Sequence, residues 1–178
     1  LSEGAASLLP GHDAPALIWE LALDSSGETV DTKVSRGMVR SRAKLSYTGA
    51  QADLDAGRGG EQLELLRTVG QLRMEIEAAR GGVSLSVPEQ EIVATDRHWT
   101  LAFRAALPIE DWNAQLSLAT GMAAAALMLE AKVGILRTLP PARDSSLAKL
   151  RRTAAALGIK WPVGMAYPEF LRSLDASV

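Results

Sequence analysis

The feature that most constrains the fold is an uncharged run of eighteen residues, WNAQLSLATGMAAAALML, between Asp111 and Glu130. At a rise of about 1.5 Å per residue, a helix of this length could almost cross a bilayer. The run contains Asn113, Gln115 and Thr120, however, and alanine supplies much of the remainder. Small residues suit a helix that packs closely inside a protein. We therefore predict a long Ala-rich core helix over residues 107–133 and no membrane span.

Composition bounds the class of protein around this helix. The 178 residues are 47% apolar and 22% charged, which fits a soluble globular chain with one sizeable core. The absence of cysteine excludes disulfides and thiolate metal sites, and it is consistent with the cytoplasm, where we expect the protein to reside. Because the net charge is −2, any binding to nucleic acid must depend on local basic patches.

Two stretches alternate in the way that half-buried strands do. Leu17, Trp19, Leu21 and Leu23 share one face of a predicted strand, and the turn residues 24–28 separate it from a second strand over 29–34. A second hairpin is predicted between residues 83–87 and 99–103, with turn chemistry in 95–98. The large aromatic residues at these and other pattern positions are predicted to pack in the core: Trp19, Trp99, Phe103, Trp112 and Trp161.

The remaining segments have helical periodicity. Apolar residues recur every three or four positions over residues 61–80, and Gly81 and Gly82 end that helix. A further helix is predicted from Asp144 or Ser145 to the stop at Gly158, and a short one near Pro168. Strand pairs interleaved with helices indicate an α+β fold, an antiparallel β-sheet with packed helices.

Few residues suggest chemistry by themselves. The chain has no phosphate-binding loop, dinucleotide-binding motif, HExxH or GxSxG, and the two histidines, His12 and His98, have no second ligand at helical spacing. Glu110 and Asp111 are adjacent acids in an apolar setting. We favour their interpretation as charges that stabilise a helix N-terminus. The alternative is contact with a sugar hydroxyl or a metal-bound water.

Basic residues form two clusters. One leads directly to Tyr47 and contains Arg36, Arg40, Arg42 and Lys44; the other contains Arg143, Lys149, Arg151 and Arg152. A charge run is usually a solvated face. A basic stretch that ends in an aromatic residue also supplies what single-stranded RNA needs, because cations neutralise phosphates and rings stack on bases.

Five segments, taken in order, resemble the RNB catalytic domain of the RNase II/RNase R exoribonuclease family. They are LSEGAASLLPG (residues 1–11), RSRAKLSYTGAQ (40–51), RGGVSLSVPE (80–89), IEDWNAQLSLATGMAAA (109–125) and GILRTLPPARDSSLAKLRRTAAALG (134–158). The DWNAQ variant is similar to compact RNB proteins of actinobacteria. The resemblance identifies residues 1–178 as a middle-to-late portion of one RNB domain.

The resemblance implies a 3'-to-5' exoribonuclease that hydrolyses single-stranded RNA to 5'-mononucleotides with Mg²⁺. The family's metal-binding aspartates lie before the segment that matches Leu1, and its arginine motif lies after the segment that matches Val178. This chain is therefore expected to supply walls of the RNA channel, with no catalytic or metal-ligating residue of its own. We expect it to be inactive without the rest of the parent catalytic domain.

Two positions carry over from the family motifs. Tyr47 matches a tyrosine that contacts RNA, and Glu110 matches an acid that helps to read the ribose; Arg40, Arg42 and Lys44 complete the predicted RNA-binding set. The chain departs from the family at a base-clamping aromatic (Leu85), a second acid (Asp111) and a histidine (Thr138). The alternatives are an RNB-like protein that binds RNA without cutting it, and a structural or interaction domain.

Overall fold

The computed structural model of the chain describes residues 4, 7–84, 88–95, 98–138 and 140–174. The chain divides into two compact units. The first comprises Leu1–Ile76 and Leu107–Gly134, and the second comprises Glu77–Ala106 and Ile135–Val178.

The first unit begins with the predicted hairpin, whose strands are longer than predicted. Strand β1 (Asp13–Leu23) pairs antiparallel with β2 (Thr29–Arg40). The Asp24 carboxylate closes the turn by accepting hydrogen bonds from the Ser26 hydroxyl and from the backbone N–H groups of Ser26 and Glu28, at 2.6–3.0 Å. These hydrogen bonds, that of the Ser26 side chain first, lower the pKa of Asp24 below its ordinary value.

Three helices complete the first unit: α1 (Tyr47–Asp55), α2 (Gly60–Ala79) and α3 (Pro108–Ala131). Helices α2 and α3 confirm the helices predicted over residues 61–80 and 107–133, whereas α1 was not predicted. The core joins α1 to the N-terminal turns of α3 through Ala50, Leu54, Ile109 and Trp112. This contact fixes where the two helices begin relative to each other.

Helix α3 buries one face and exposes the rest within the described residues. Its buried residues are Ile109, Trp112, Gln115, Ala119 and Ala123. Among the described residues, it is the one helix whose length and composition would also suit a membrane span, and 17% of its apolar stretch is buried. That match is weak evidence for a membrane, since core helices of soluble proteins have the same composition.

The hairpin of the second unit differs from the prediction. Strand β3 spans Glu89–Ala94, not residues 83–87, and pairs antiparallel with β4 (Trp99–Arg104). Ala94 lies opposite Trp99, so the turn is short, and the backbone N–H of Thr95 donates to His98 O at 2.9 Å. A strand over 83–87 would instead need a long loop, and short connections are favoured. Residues 85–87 lie outside the described residues.

The core prediction for Trp99 and Phe103 was also wrong. These side chains are 74% and 65% exposed and share one face of the β3–β4 ribbon with Ile92 and Leu101. On the opposite face, Arg104 pairs with Glu89 and Glu91. The strand was hard to recognise because an exposed ribbon tolerates acids at positions that a half-buried strand would not.

Two helices follow in the second unit, α4 (Asp144–Ala156) and α5 (Tyr167–Arg172), as predicted. The Trp161 ring stacks on Phe170 with centroids 4.0 Å apart, and the Arg151 guanidinium lies 4.1 Å from the Trp161 centroid. Helices and antiparallel strands together confirm the α+β class.

Candidate nucleic-acid interface

Tyr47 is the first residue of α1, where an exposed side chain can meet a ligand. Ser46 caps the helix, because its backbone is extended and its hydroxyl accepts the Gly49 N–H at 3.2 Å. The cap sets the direction in which the chain enters α1. Tyr47 is 46% exposed. Its position therefore combines a fixed backbone with an accessible ring.

Glu110 lies in the first turn of α3 and caps that helix. Its Oε1 accepts the backbone N–H of Leu107 at 3.0 Å. The Leu107 side chain has no polar atom to reciprocate, so only the carboxylate half of a capping box is present. The favoured interpretation of this acid, a charge in the first turn of a helix, agrees with its position and with this hydrogen bond. Its predicted contact with ribose stays a prediction.

Gln51 connects α1 to the start of α3. Its Oε1 accepts the buried backbone N–H of Ile109 at 3.1 Å, and its Nε2 donates to Asp55 Oδ1 at 2.8 Å. Because Gln51 is itself buried, an unmade hydrogen bond here would be costly. The amide thus holds the two helix ends at a fixed spacing.

Asn113, on α3, forms a hydrogen bond with Tyr47 on α1. Its Nδ2 donates to the Tyr47 phenol oxygen at 2.9 Å, and it lies one helical turn after Glu110. We call Tyr47, Glu110 and Asn113 the Tyr47 cluster. The sequence prediction missed Asn113. The available signal was its spacing, since positions 110 and 113 share a face of the predicted helix.

Arg40 is at the end of β2 and has a protein partner. Its guanidinium donates to both carboxylate oxygens of Asp13, at 2.7 and 2.8 Å. The hydrogen bond with Asp13 raises the pKa of Arg40. A bidentate pair of this kind reduces the charge that a phosphate would meet. The RNA-binding role of Arg40 stays a prediction. Because its guanidinium is already paired with Asp13, we expect it to contribute less to RNA binding than an unpaired cation would.

Arg42 and Lys44 lie in the exposed segment between β2 and α1. Neither makes an ion pair with a carboxylate in the described part of the chain. Their charges are therefore accessible to a phosphate backbone that approaches Tyr47.

The second basic cluster is partly structural. Arg151 donates to the backbone oxygen of Met165 at 3.2 Å as well as lying over Trp161, so its guanidinium holds the loop between α4 and α5. Lys149 and Arg152 are exposed on α4. These contacts give Arg151 a structural role that does not require a bound ligand.

The described residues hold no metal site. No group of three or more histidine or acidic side chains in residues 7–84, 88–95, 98–138 and 140–174 is arranged to bind an ion. The residues present therefore do not fit Mg²⁺. Leu85, which replaces the family's clamping aromatic, lies outside the described residues.

Comparison with known proteins assigns the family. The RNB domain model matches residues 1–176. The chain belongs to the RNB domain family. It is 26% identical over 172 residues to the exosome complex exonuclease RRP44 homolog A of Arabidopsis thaliana, with 92% of this chain covered. The RNase II/RNase R resemblance is thereby confirmed.

The fold agrees with this assignment. Mycoplasma genitalium RNase R in complex with ribose-methylated single-stranded RNA has a TM-score of 0.81 at 19% identity over 97% of this chain. The same enzyme in complex with double-stranded RNA has a TM-score of 0.79 over 95% of the chain, also at 19% identity. The chain spans 29% and 32% of these two RNase R chains and 18% of the Arabidopsis protein.

Proposed function

We propose that this chain is part of a 3'-to-5' exoribonuclease that hydrolyses single-stranded RNA to 5'-mononucleotides, and that it forms walls of the RNA channel. The observation that carries the proposal is the Tyr47 cluster. It places the two positions that match RNA-contacting positions of the family, Tyr47 and Glu110, at the adjoining N-terminal ends of α1 and α3. An RNase R with single-stranded RNA shares the fold.

The chemistry of the exposed side chains supports RNA as the ligand. Stacking of a base on an accessible ring such as Tyr47 is worth about 1–3 kcal/mol per base. Arg42 and Lys44 precede this ring by a few residues and offer charges for phosphates. Together they supply the sequence-independent contacts that a processive enzyme requires.

Metal chemistry would come from elsewhere in the full-length protein. RNB-family nucleases in general depend on divalent metal ions, and we propose Mg²⁺ for this one. Bound metal would activate water and stabilise the leaving oxygen. In this proposal, the contribution of this chain is to bind and orient the strand.

The proposal is tested by removing the two accessible charges in the full-length protein. For Arg42→Ala plus Lys44→Ala, we expect weaker binding to a single-stranded oligoribonucleotide. The slope of the logarithm of the binding constant against the logarithm of the salt concentration should become less steep by about 1–2. Fluorescence anisotropy between about 50 and 200 mM salt measures both quantities.

Lys33→Ala plus Arg58→Ala is the matched control. It removes the same charge from the same unit, at side chains that are 68% and 66% exposed. We expect its affinity for RNA and its salt dependence to stay near those of the wild type. Equal losses in the two double variants would mean that net charge alone matters, and the proposed RNA surface would be wrong.

A second candidate function is RNA binding without cleavage. The exposed side chains of Arg42, Lys44 and Tyr47 would serve either function, so the metal ligands expected outside this chain decide between the two. Incubation of the full-length protein with labelled RNA and Mg²⁺ separates the two candidates. Release of mononucleotides supports the exoribonuclease, and stable binding without any product supports the second candidate.

A further inference from the structure

The β3–β4 ribbon presents a largely apolar face to solvent in the described part of the second unit. Ile92 lies directly opposite Leu101, and Trp99 and Phe103 lie on either side of Leu101 along β4. The four side chains are 58–74% exposed. We call these four residues the ribbon face. A contiguous apolar patch of this kind marks a surface that contacts another molecule or another part of the same protein.

The two faces of the ribbon differ in what they require. The opposite face carries the ion pairs of Arg104 with Glu89 and Glu91, which suit contact with water. A two-stranded ribbon is marginally stable in water by itself, and packing of its apolar side against another element stabilises it. The described residues leave the ribbon face open, so the cover must come from outside them.

RNA is a poor match for the ribbon face. The rings of Trp99 and Phe103 could stack on bases, but a bound strand also needs cations for its phosphates. Arg104 is the one lysine or arginine in β3 and β4, and it is already paired with two carboxylates on the opposite face. The chemistry of this surface therefore favours an apolar protein partner.

A second copy of the chain is disfavoured by area. Each strand has six residues, so the ribbon is about 20 Å long and 10 Å wide, or roughly 200 Å². A stable interface between separate proteins buries about 800 Å² on each partner. A contact within one polypeptide can be smaller, because the covalent connection supplies a high effective concentration.

We propose that the ribbon face is an internal docking surface, covered by an apolar part of the full-length protein that lies outside residues 1–178. The lengths of the similar structures supply room for such a part. This chain shares its fold with RNase R chains of which it spans only 29% and 32%. The inference goes beyond the proposed function, because it does not depend on RNA binding at the Tyr47 cluster.

The first test replaces two directly opposed pairs of side chains in the full-length protein. For Ile92→Asn plus Leu101→Asn, on the ribbon face, we expect the melting temperature to fall by about 5 °C or more. Val93→Asn plus Thr100→Asn is the matched control on the opposite face, and it should lower the melting temperature by less than about 2 °C.

The control makes the outcome decisive. Val93 is 42% exposed, whereas Ile92 and Leu101 are 71% and 58% exposed. If the ribbon face stayed open to water in the full-length protein, its pair would tolerate asparagine at least as well as the control pair does. An equal or smaller loss of stability in the ribbon-face variant would therefore overturn the proposal.

The second test uses the wild-type protein, so it does not depend on the folding of a variant. Hydroxyl radicals oxidise accessible tryptophan, and mass spectrometry of the peptide that contains Trp99 measures the rate. We expect oxidation of Trp99 to be several-fold slower in the native full-length protein than in urea, at every protein concentration. Equal rates would overturn the proposal. Protection only at high protein concentration would indicate a second copy, and protection only with added RNA would indicate nucleic acid; either result would also overturn it.

Discussion

Glu110 caps helix α3 and is also predicted to contact RNA. Its carboxylate accepts the Leu107 N–H, one of the donors that the start of α3 leaves without a helical partner. A negative charge at this end of the helix is also favourable for the helix dipole. Any substitution of Glu110 therefore changes stability and binding together, and the two effects must be separated by the choice of variant.

Glu110→Ala and Glu110→Gln measure the contribution of Glu110 to stability without RNA, and they distinguish its hydrogen bond from its charge. We expect the alanine variant to lower the free energy of unfolding by about 1 kcal/mol, because the Leu107 N–H loses its acceptor. The glutamine variant keeps an acceptor oxygen and should lose only a few tenths of that. Urea denaturation of the full-length protein measures both. If the glutamine variant is as unstable as the alanine variant, charge and not capping is what stabilises the start of α3.

The arginine residues show that the sequence does not reveal which basic side chains already have a partner within the protein. Arg40 pairs with Asp13, and Arg151 holds the loop around Trp161. Arg73, which is 2% exposed, donates to the Gly27 carbonyl at 3.0 Å. Each partner is distant in sequence or has no recognisable spacing. Sequence patterns therefore located the basic residues but could not tell accessible charges from those already used.

Helices α2 and α3 approach each other closely at Gly70. A Cβ atom added at this glycine would lie 2.7 Å from the Cα of Trp112, nearer than atoms in contact can be. Trp112 is 7% exposed and belongs to the same core as Ile109. The absence of a side chain at Gly70 thus lets α2 pack against the part of α3 that carries Glu110 and Asn113.

Gly70→Ala is accordingly expected to destabilise the protein. Overpacking of a tight contact costs about 1–3 kcal/mol, which outweighs the roughly 0.5–1 kcal/mol that alanine gains over glycine in a helix. Gly121→Ala is the control in α3, because a Cβ there meets nothing within 4 Å, and it should be neutral or stabilising. Thermal denaturation compares the two variants. Equal melting temperatures would contradict the close approach.

Sequence patterns predicted the longer elements and missed or misplaced the short ones. The β1–β2 hairpin, α2, α3 and α4 follow from apolar patterns together with turn and cap residues. Helix α1 was overlooked because it is only nine residues long and a basic run precedes it, although Ala50, Gln51 and Leu54 are buried. Strand β3 was misplaced because its side chains are exposed throughout.

At the scale of the whole molecule, the order of the motifs was more informative than any one of them. Five weak matches in sequence predicted the RNB family, which the family model confirms over residues 1–176. The arrangement of the candidate site was beyond sequence reasoning. Tyr47 and Asn113 are 66 positions apart, and nothing in either motif indicates that their side chains form a hydrogen bond. Only the packing of α1 on α3 brings them together.

The separation of binding from metal chemistry leads to a final prediction. In our proposal, the Tyr47 cluster and the cations beside it contact RNA directly, and the metal ligands lie in other parts of the full-length protein. Chelation of divalent ions by EDTA should therefore abolish hydrolysis by the full-length protein but leave affinity for single-stranded RNA within about twofold. Excess Mg²⁺ should restore hydrolysis.

The same experiment on Tyr47→Ala shows where the ion acts. Because the ring contacts the strand directly in our proposal, the loss of affinity in this variant should be equal in EDTA and in Mg²⁺. Anisotropy measures binding in both buffers, and a gel of labelled RNA measures hydrolysis. If EDTA abolishes binding, or if the Tyr47→Ala defect appears only with Mg²⁺, then metal ions bridge the strand to this surface. The proposal that this chain binds RNA while other parts of the full-length protein hold the metal would then be wrong.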